Sequence, residues 1–172
     1  MKRILVDLNV VLDVALERAA HVEPSAALCS AVEAGRVIGL LSAHAFPTYF
    51  YVARKDVGST RARQMVTNLA RMFRVAPIDD DVIARSLTLG FADFEDAVTA
   101  AAAEAARCDL IVTRDLRGSA GPPVKAVTPE LALASFDSEV HEPVVPYDAA
   151  PPVRRRRRRS HVGERTAATS QR

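Results

Sequence analysis

The sequence is poor in cysteine, histidine and aromatic residues: among 172 residues there are two cysteines, four histidines and no tryptophan, and aromatic residues make up 5%. Cys29 and Cys108 lie in the apolar contexts ALCSAV and AARCDL, which favours buried free thiols in a reducing cytoplasm over a disulfide. The histidines and cysteines show no spacing typical of zinc ligands, which argues against a zinc site. Because aromatic residues are so few, the core must consist mainly of Ala, Val, Leu and Ile.

Long apolar runs and the common nucleotide-binding patterns are missing as well. No run reaches the roughly 18 residues of a membrane span. The opening segment MKRILVDLNVVLD carries Asp7 within its apolar part and lacks a cleavage site, which argues against a signal peptide. The sequence has no GxGxxG, no P-loop and no Ser-His-Asp or Cys-His arrangement. We expect a cytoplasmic protein that does not associate with a membrane.

The formal net charge of +2 averages two very different parts of the chain. Residues 148–172 contain eight Arg and two acidic residues, a net charge of +6, whereas residues 1–147 contain fifteen Lys and Arg and nineteen Asp and Glu, a net charge of −4. Near residue 137 the apolar periodicity gives way to proline-rich sequence. We predict a folded domain over residues 1–137 and a Pro/Arg-rich, disordered basic tail over residues 138–172, which either contacts a polyanion or has no function.

Apolar runs typical of buried strands alternate with segments of helical period. The predicted strands are residues 2–6, 37–41, 75–78, 110–113 and 124–127. The predicted helices are residues 11–16, 24–34, 45–55, 60–73, 80–88, 93–106 and 129–134. Strands that are almost entirely apolar and separated by helices indicate a parallel sheet covered on both faces. The sequence thus predicts an α/β fold with three layers, α/β/α, around a mainly parallel sheet of about five strands.

Three carboxylates fall where such a sheet binds ligands, beyond the carboxyl ends of its strands. Asp7 ends the first strand, Asp115 follows the fourth, and Asp96 lies near the start of the helix that leads into the fourth strand. Asp93, Glu95 and Asp96 also suit the N-terminus of a helix, as a cap and as partners of the helix dipole. If all three acids converge, they raise one another's pKa or need a cation. Oxygen ligands alone favour Mg²⁺ or Mn²⁺.

The segments LVDLNVVLD and DFEDAVTAAAAEAARCDLIVTRD, in this order and spacing, resemble the PIN-domain nucleases, many of which are VapC-type toxins of bacterial toxin–antitoxin pairs. The resemblance covers about residues 3–135. It implies a PIN-like fold, a metal-dependent ribonuclease activity with Mg²⁺ or Mn²⁺ as cofactor, RNA as substrate and an antitoxin protein as partner. We also expect a homodimer.

The same resemblance assigns roles to individual residues. The metal ligands and catalytic groups are Asp7, Asp96 and Asp115. The supporting residues are Asn9, Asp93, Thr113 and Thr48. Apart from the resemblance, basic residues around the cleft either bind phosphates or are ordinary solvated helix charges. They include Arg114, Arg54 and Lys55.

Two features depart from the usual PIN pattern. In SAHAFPTYFYVARK, Thr48 stands where the family usually has a Glu, and TRDLRGS replaces a segment that often supplies another acid. His44 either substitutes as a ligand or substrate contact, or is a packed or capping histidine. Tyr49, Phe50 and Tyr51 could stack on bases, although the helical period makes at least one of them core.

Two other functions are compatible with parts of the sequence. A catalytically weak PIN fold that binds RNA or an antitoxin would explain the missing Glu. A phosphatase of the haloacid-dehalogenase kind would explain LVDLNVV and LIVT as its first two motifs, but Asn9 replaces the second Asp, and no suitable Lys follows LIVT.

Overall fold

The computed structural model describes residues 1–116 and 123–137. The elements in chain order are β1 (Arg3–Val6), α1 (Leu8–Ala15), α2 (Val22–Glu33), β2 (Ile38–Ser42), α3 (Ala45–Met72), β3 (Arg74–Ala76), α4 (Asp80–Ser86), α5 (Phe94–Ala105), β4 (Leu110–Val112), β5 (Ala126–Val127) and α6 (Pro129–Asp137). The predicted basic tail lies outside the described residues, and the predicted domain boundary at residue 137 falls at their end.

The five strands form one parallel sheet in the order β3-β2-β1-β4-β5. Leu5, in the centre of β1, pairs with Leu40 of β2 on one side and with Ile111 of β4 on the other. The chain therefore leaves β1 towards one edge of the sheet and later returns to its other side. The strand order thus reverses at β1 and β4, and the carboxyl ends of strands at such a reversal are the usual place for a ligand in this kind of sheet. The predicted parallel sheet is confirmed.

Successive residues of each strand point to opposite faces of the sheet and pack into two separate cores. Ile4 and Val6 pack into a core with apolar residues of α1, α2, α3 and α6. Leu5 packs into a second core, with α4 and the alanine-rich α5. Helices thus cover both faces, and the predicted three layers are confirmed.

Helix α3 contains a break that corresponds to the gap between two predicted helices. Gly58 adopts non-helical dihedral angles, φ 78° and ψ 164°, within the element Ala45–Met72. A residue with a Cβ is strained at such a positive φ, whereas glycine is not. The two predicted helices, 45–55 and 60–73, therefore meet at a kink. None of the helices in residues 1–116 and 123–137 has both the length and the apolar composition needed to span a membrane.

Glycine at position 39 allows α2 and Phe73 to pack closely on β2. A Cβ at this position would lie 2.7 Å from Val32 Cγ1 and 2.8 Å from Phe73 Cδ1. Because overpacking a core typically costs 1–3 kcal/mol, we expect Gly39→Ala to lower the free energy of unfolding by about 2 kcal/mol. Urea denaturation of both proteins measures the difference. An unchanged midpoint would contradict the close packing of Val32 and Phe73 on this strand.

Candidate active site

A buried hydroxyl links the carboxylate at the end of β1 to the backbone that follows β4. The backbone N–H of Asp7 donates to the Val112 carbonyl at 2.9 Å, which fixes the exit from β1 against β4. The Thr113 hydroxyl donates to Asp7 Oδ2 at 2.7 Å and accepts the backbone N–H of Asp115 at 3.2 Å. Thr113 is only 9% exposed. The Asp7 carboxylate and the backbone of Asp115, 108 positions apart in sequence, thereby bond to the same hydroxyl.

Asp7 also begins the next helix. Its Oδ1 accepts the backbone N–H of Asn9 at 3.4 Å and caps α1. One carboxylate oxygen therefore faces the helix start while the other faces Thr113. Asn9, predicted to support Asp7, contacts it through this backbone N–H, and its side chain is exposed.

Helix α5 brings Asp96 to the same edge of the sheet. The helix leads directly into β4 and covers the sheet face next to it, so its N-terminal end lies towards the carboxyl ends of the strands. Asp93 caps the helix and accepts the Glu95 backbone N–H at 2.7 Å, as predicted from the sequence. Asp96 lies in the first helical turn.

The pKa of Asp96 is raised above its ordinary value. Partial desolvation is the largest cause, followed by the charges of Asp93, Asp7 and Asp115, and then of Glu95. The side chain is nevertheless exposed, so the desolvation is partial and the neighbouring charges add to it. Desolvation and like charges both disfavour the ionised form. The charges of Asp7 and Asp115, the other two acids of the predicted site, are thus among the causes of the raised pKa of Asp96.

The chemistry of this group of acids fits a hard divalent cation. As the side chains stand, no three His, Cys, Asp or Glu residues within 1–116 and 123–137 are arranged to hold a metal ion. The ligands expected at such a site are nevertheless all carboxylate oxygens, the type that Mg²⁺ and Mn²⁺ prefer. A cation would also relieve the repulsion that raises the pKa of Asp96. Asp7, Asp96 and Asp115 are the residues that would hold it.

His44 connects the start of α3 with the start of α5. Its Nε2 lies 3.4 Å from Glu95 Oε1, and its Nδ1 is buried without a hydrogen-bond partner. The side chain makes no capping hydrogen bond to α3. The Thr48 hydroxyl donates to the His44 backbone carbonyl at 3.0 Å, so this hydroxyl is engaged with its own helix. The supporting role expected of Thr48 remains a prediction. Glu95, which contacts His44, is not among the site residues predicted from the sequence.

Arg114 is held by a buried carboxylate that sequence analysis did not single out. Arg114 Nε lies 3.2 Å from Oδ2 of Asp13, whose side chain is fully buried. Arg18 pairs with the other oxygen of Asp13 at 3.3 Å, and the Ser25 hydroxyl donates to Asp13 at 3.4 Å. Because Arg114 stands between Thr113 and Asp115, this pair anchors the turn that carries the site. The Arg114 side chain is 27% exposed, and the substrate contact expected of it remains a prediction.

The other two predicted substrate contacts lie on α3. Arg54 and Lys55 are both exposed. The guanidinium carbon of Arg54 lies 4.7 Å, and Lys55 Nζ 4.8 Å, from the centre of the Tyr51 ring. Tyr51 is exposed, whereas Tyr49 is buried in the core, so the helical period has divided these two rings as expected.

Repulsion at Asp96 predicts that removing its charge stabilises the metal-free protein. A carboxyl group whose pKa is raised in the folded state is easier to ionise in the unfolded state, so its penalty appears as the pH rises from the ordinary value of 3.8 through the raised folded value. We expect Asp96→Asn to have a higher melting temperature than the parent at pH 7 in chelator, and the difference to disappear in acid. Mg²⁺ should then raise the melting temperature of the parent more than that of the variant. A variant less stable than the parent at pH 7 would contradict the crowding of these acids.

Comparison with known proteins agrees with the motifs and the fold. The family profile described as PIN domain matches residues 3–117. Among solved structures, a toxin-antitoxin complex from Klebsiella pneumoniae is 23% identical with a TM-score of 0.55, covering 73% of this chain and 96% of that chain. DNA-bound VapBC from Salmonella typhimurium is 14% identical with a TM-score of 0.59, covering 75% and 99%.

A third solved structure, FitAB bound to a DNA fragment, is 25% identical with a TM-score of 0.53, covering 73% of this chain and 94% of that chain. A search of curated proteins gave no match. The profile match spans more than half of the chain, and its range contains the strand ends and the helix that bring Asp7, Asp96 and Asp115 together. The chain belongs to the PIN domain family.

Proposed function

We propose that the protein is a metal-dependent ribonuclease and acts as the toxin of a toxin–antitoxin pair. The observation that carries this proposal is the convergence of three acids. The Thr113 hydroxyl bonds to the Asp7 carboxylate and to the backbone N–H of Asp115, and the charges of Asp7 and Asp115 both contribute to the raised pKa of Asp96. A site of carboxylates at the carboxyl edge of a parallel sheet suits Mg²⁺ or Mn²⁺ and the hydrolysis of a phosphodiester bond. Membership of the PIN domain family supports nuclease activity.

The residues of the chain have distinct parts in this chemistry. A divalent ion, when bound, supplies an activated water and neutralises charge that develops on the phosphate. Asp7, Asp96 and Asp115 would hold the ion, and Thr113 fixes the direction of the Asp7 carboxylate through its hydrogen bond. One of these carboxylates accepts the proton of the attacking water. Asp93, which caps α5, adds negative charge beside Asp96 and so strengthens the attraction for the ion.

One observation favours a second candidate, a catalytically weak PIN fold that binds RNA or an antitoxin. Thr48 stands at the position that usually carries a Glu, so this position supplies no carboxylate to the site. The Thr48 hydroxyl is itself hydrogen-bonded to the His44 carbonyl. Fewer charges around the ion reduce its affinity. The two candidates differ in whether saturating metal produces cleavage.

The remaining features of the proposal concern partners and location. The solved structures with the same fold are toxin-antitoxin complexes, which supports an antitoxin as the partner of this chain, and we further propose that it forms a homodimer. The pKa of each cysteine thiol, Cys29 and Cys108, is raised to about 11, mainly by burial. Unreactive free thiols suit the reducing cytoplasm. The charge of +6 on residues 148–172 would raise the local concentration of RNA without giving sequence specificity.

Cleavage assays with matched substrates test the proposed activity. Single-stranded RNA, single-stranded DNA of the same sequence and p-nitrophenyl phosphate are each incubated with the protein in Mg²⁺, in Mn²⁺ and in chelator. We expect cleavage of RNA that requires the metal, and no release of p-nitrophenol. Binding of RNA without cleavage at any metal concentration would favour the binding module. Hydrolysis of p-nitrophenyl phosphate would favour a phosphatase.

A further inference from the structure

Helix α3 is a basic element in an otherwise acidic body. It carries five Lys and Arg and one acidic residue, a net charge of +4, although residues 1–147 as a whole have a net charge of −4. The residues of 1–147 outside α3 therefore have a net charge of −8. All five basic side chains of α3 are exposed. A polyanion that approaches the three acids is attracted by this helix, whereas the rest of residues 1–147 has a net negative charge.

One stripe of α3 starts at the candidate site and runs away from it. His44, Thr48, Tyr51 and Lys55 are spaced i, i+4, i+7 and i+11, which places them on one side of a helix. At 1.5 Å per residue this stripe is about 16 Å long. At its near end His44 contacts Glu95, the neighbour of Asp96. Gly58 ends the regular geometry beyond Lys55, so the stripe belongs to the first half of the helix alone.

Exposure increases along this stripe, and its outer end combines an aromatic ring with two positive charges. The His44 side chain is 25% exposed, Tyr51 is 52% exposed, and Lys55 is exposed. Arg54 and Lys55 both lie over the Tyr51 ring, at 4.7 and 4.8 Å. Such contacts stabilise a helix locally, but they do not remove the ring from water. An exposed ring next to exposed cations is the combination that proteins use to bind single-stranded nucleic acids.

We propose that Tyr51, Arg54 and Lys55 form a binding surface for single-stranded RNA next to the cleavage site, here called the α3 platform. An unpaired base stacks on Tyr51, and the two long, exposed side chains turn from the ring to the flanking phosphates. Stacking needs bases that are not paired, so the platform selects single strands over duplexes. This inference rests on the proposed ribonuclease function, because it assigns the path of the RNA beside that site.

Binding measured without cleavage tests the platform separately from the catalysis. All proteins carry Asp96→Asn to prevent turnover, and the probe is a fluorescent single-stranded oligoribonucleotide titrated at several salt concentrations. We expect Tyr51→Leu to weaken RNA binding about tenfold, within the range for loss of one stacked base. Tyr51→Phe should bind almost as tightly as the protein that keeps Tyr51. Arg54→Gln and Lys55→Gln should each reduce the slope of log K against log salt by about 0.7. Melting temperatures check that the variants are folded.

Arg74→Gln is the matched control. Arg74 is an exposed cation at the first residue of β3, at the end of the sheet opposite to the carboxyl edge, and its replacement removes the same charge. If Arg74→Gln reduces affinity and salt slope as much as Lys55→Gln does, the effect is one of total charge and the platform is wrong. Equal RNA binding by Asp96→Asn alone and by the same protein with Tyr51→Leu or Tyr51→Phe would also overturn the platform.

Cleavage kinetics with Asp96 restored locate the platform relative to the site. The kcat/KM of Tyr51→Leu should fall more on a long oligoribonucleotide than on a dinucleotide, because a dinucleotide in the site does not extend to the outer end of the stripe. An equal loss on both substrates would mean that Tyr51 acts through the site itself, which contradicts the platform. If the parent cleaves neither substrate, the ribonuclease proposal fails, while the binding experiment still decides the platform.

Discussion

Asparagine in place of Asp7, Asp96 or Asp115 should in each case reduce metal-dependent RNA cleavage by about 10³-fold or more, as expected when one member of a group that acts as a unit is removed. Each substitution removes one negative charge and one oxygen ligand for the ion. The fold should remain intact, because asparagine is as good a helix cap as aspartate at position 7 and its carbonyl oxygen can still accept the Thr113 hydroxyl. A double variant should be no less active than a single one.

Initial rates over a Mg²⁺ titration, with circular dichroism of each variant, measure this effect. Asp109→Asn is the matched control, because Asp109 is exposed and its Oδ2 accepts the backbone N–H of Arg3 at the start of β1, at the opposite end of the strand from Asp7. Asp109→Asn should cleave RNA as the parent does. Full activity in chelator, or in any two of the three site variants, would rule out the site.

Asp13→Ala should destabilise the protein by about 3 kcal/mol, at the lower end of the range for breaking a buried ion pair. The substitution leaves Arg18 and Arg114 without their carboxylate and creates a cavity between α1 and α2. The cost stays at the lower end because the side chains of Arg18 and Arg114 remain 36% and 27% exposed. Since Arg114 lies between Thr113 and Asp115, cleavage should also decrease at temperatures where the variant is still folded.

Glu104→Ala provides the comparison for this ion pair. Glu104 and Arg85 form a shorter contact, 2.7 Å, but both side chains are more than 40% exposed. An exposed pair of this kind contributes about 1 kcal/mol or less. Urea denaturation should therefore rank Asp13→Ala well below Glu104→Ala in stability. A reversed order would show that burial does not determine the energy of the Asp13 cluster.

The sequence predicted the elements of the fold because each depends on a local pattern. Apolar runs located all five strands, and Asp93 was predicted as a helix cap from its place before an alanine-rich segment. Helix α1 begins at Leu8 and not near residue 11, because the side chain of Asp7 both ends the strand and caps the helix. The predicted strand and helix leave residues 7–10 between them as a loop. Because Asp7 itself ends β1 and caps α1, no such loop forms.

The side-chain partners across the fold could not be predicted in the same way. In the sequence, nothing distinguishes Asp13 from an ordinary exposed charge on a short helix. Its partner Arg114 lies 101 positions later. Arg114 was expected to face the substrate because it adjoins Asp115, yet its direction depends on the turn after β4 and on the buried charge beneath it. His44 and Glu95 likewise meet only because α3 and α5 begin at the same edge of the sheet.

The position of β1 in the middle of the sheet has a consequence for the order of events during synthesis. This strand is made first, but its neighbour β4 follows only after about a hundred further residues, and the Thr113–Asp7 hydrogen bond joins positions 106 apart. At a translation rate of about 5–20 residues per second, a nascent chain spends several seconds with Asp7 in place and its partner acids not yet made. The three acids can meet only after Asp115 has left the ribosome. A site built on this topology therefore stays incomplete until most of the domain has been synthesised.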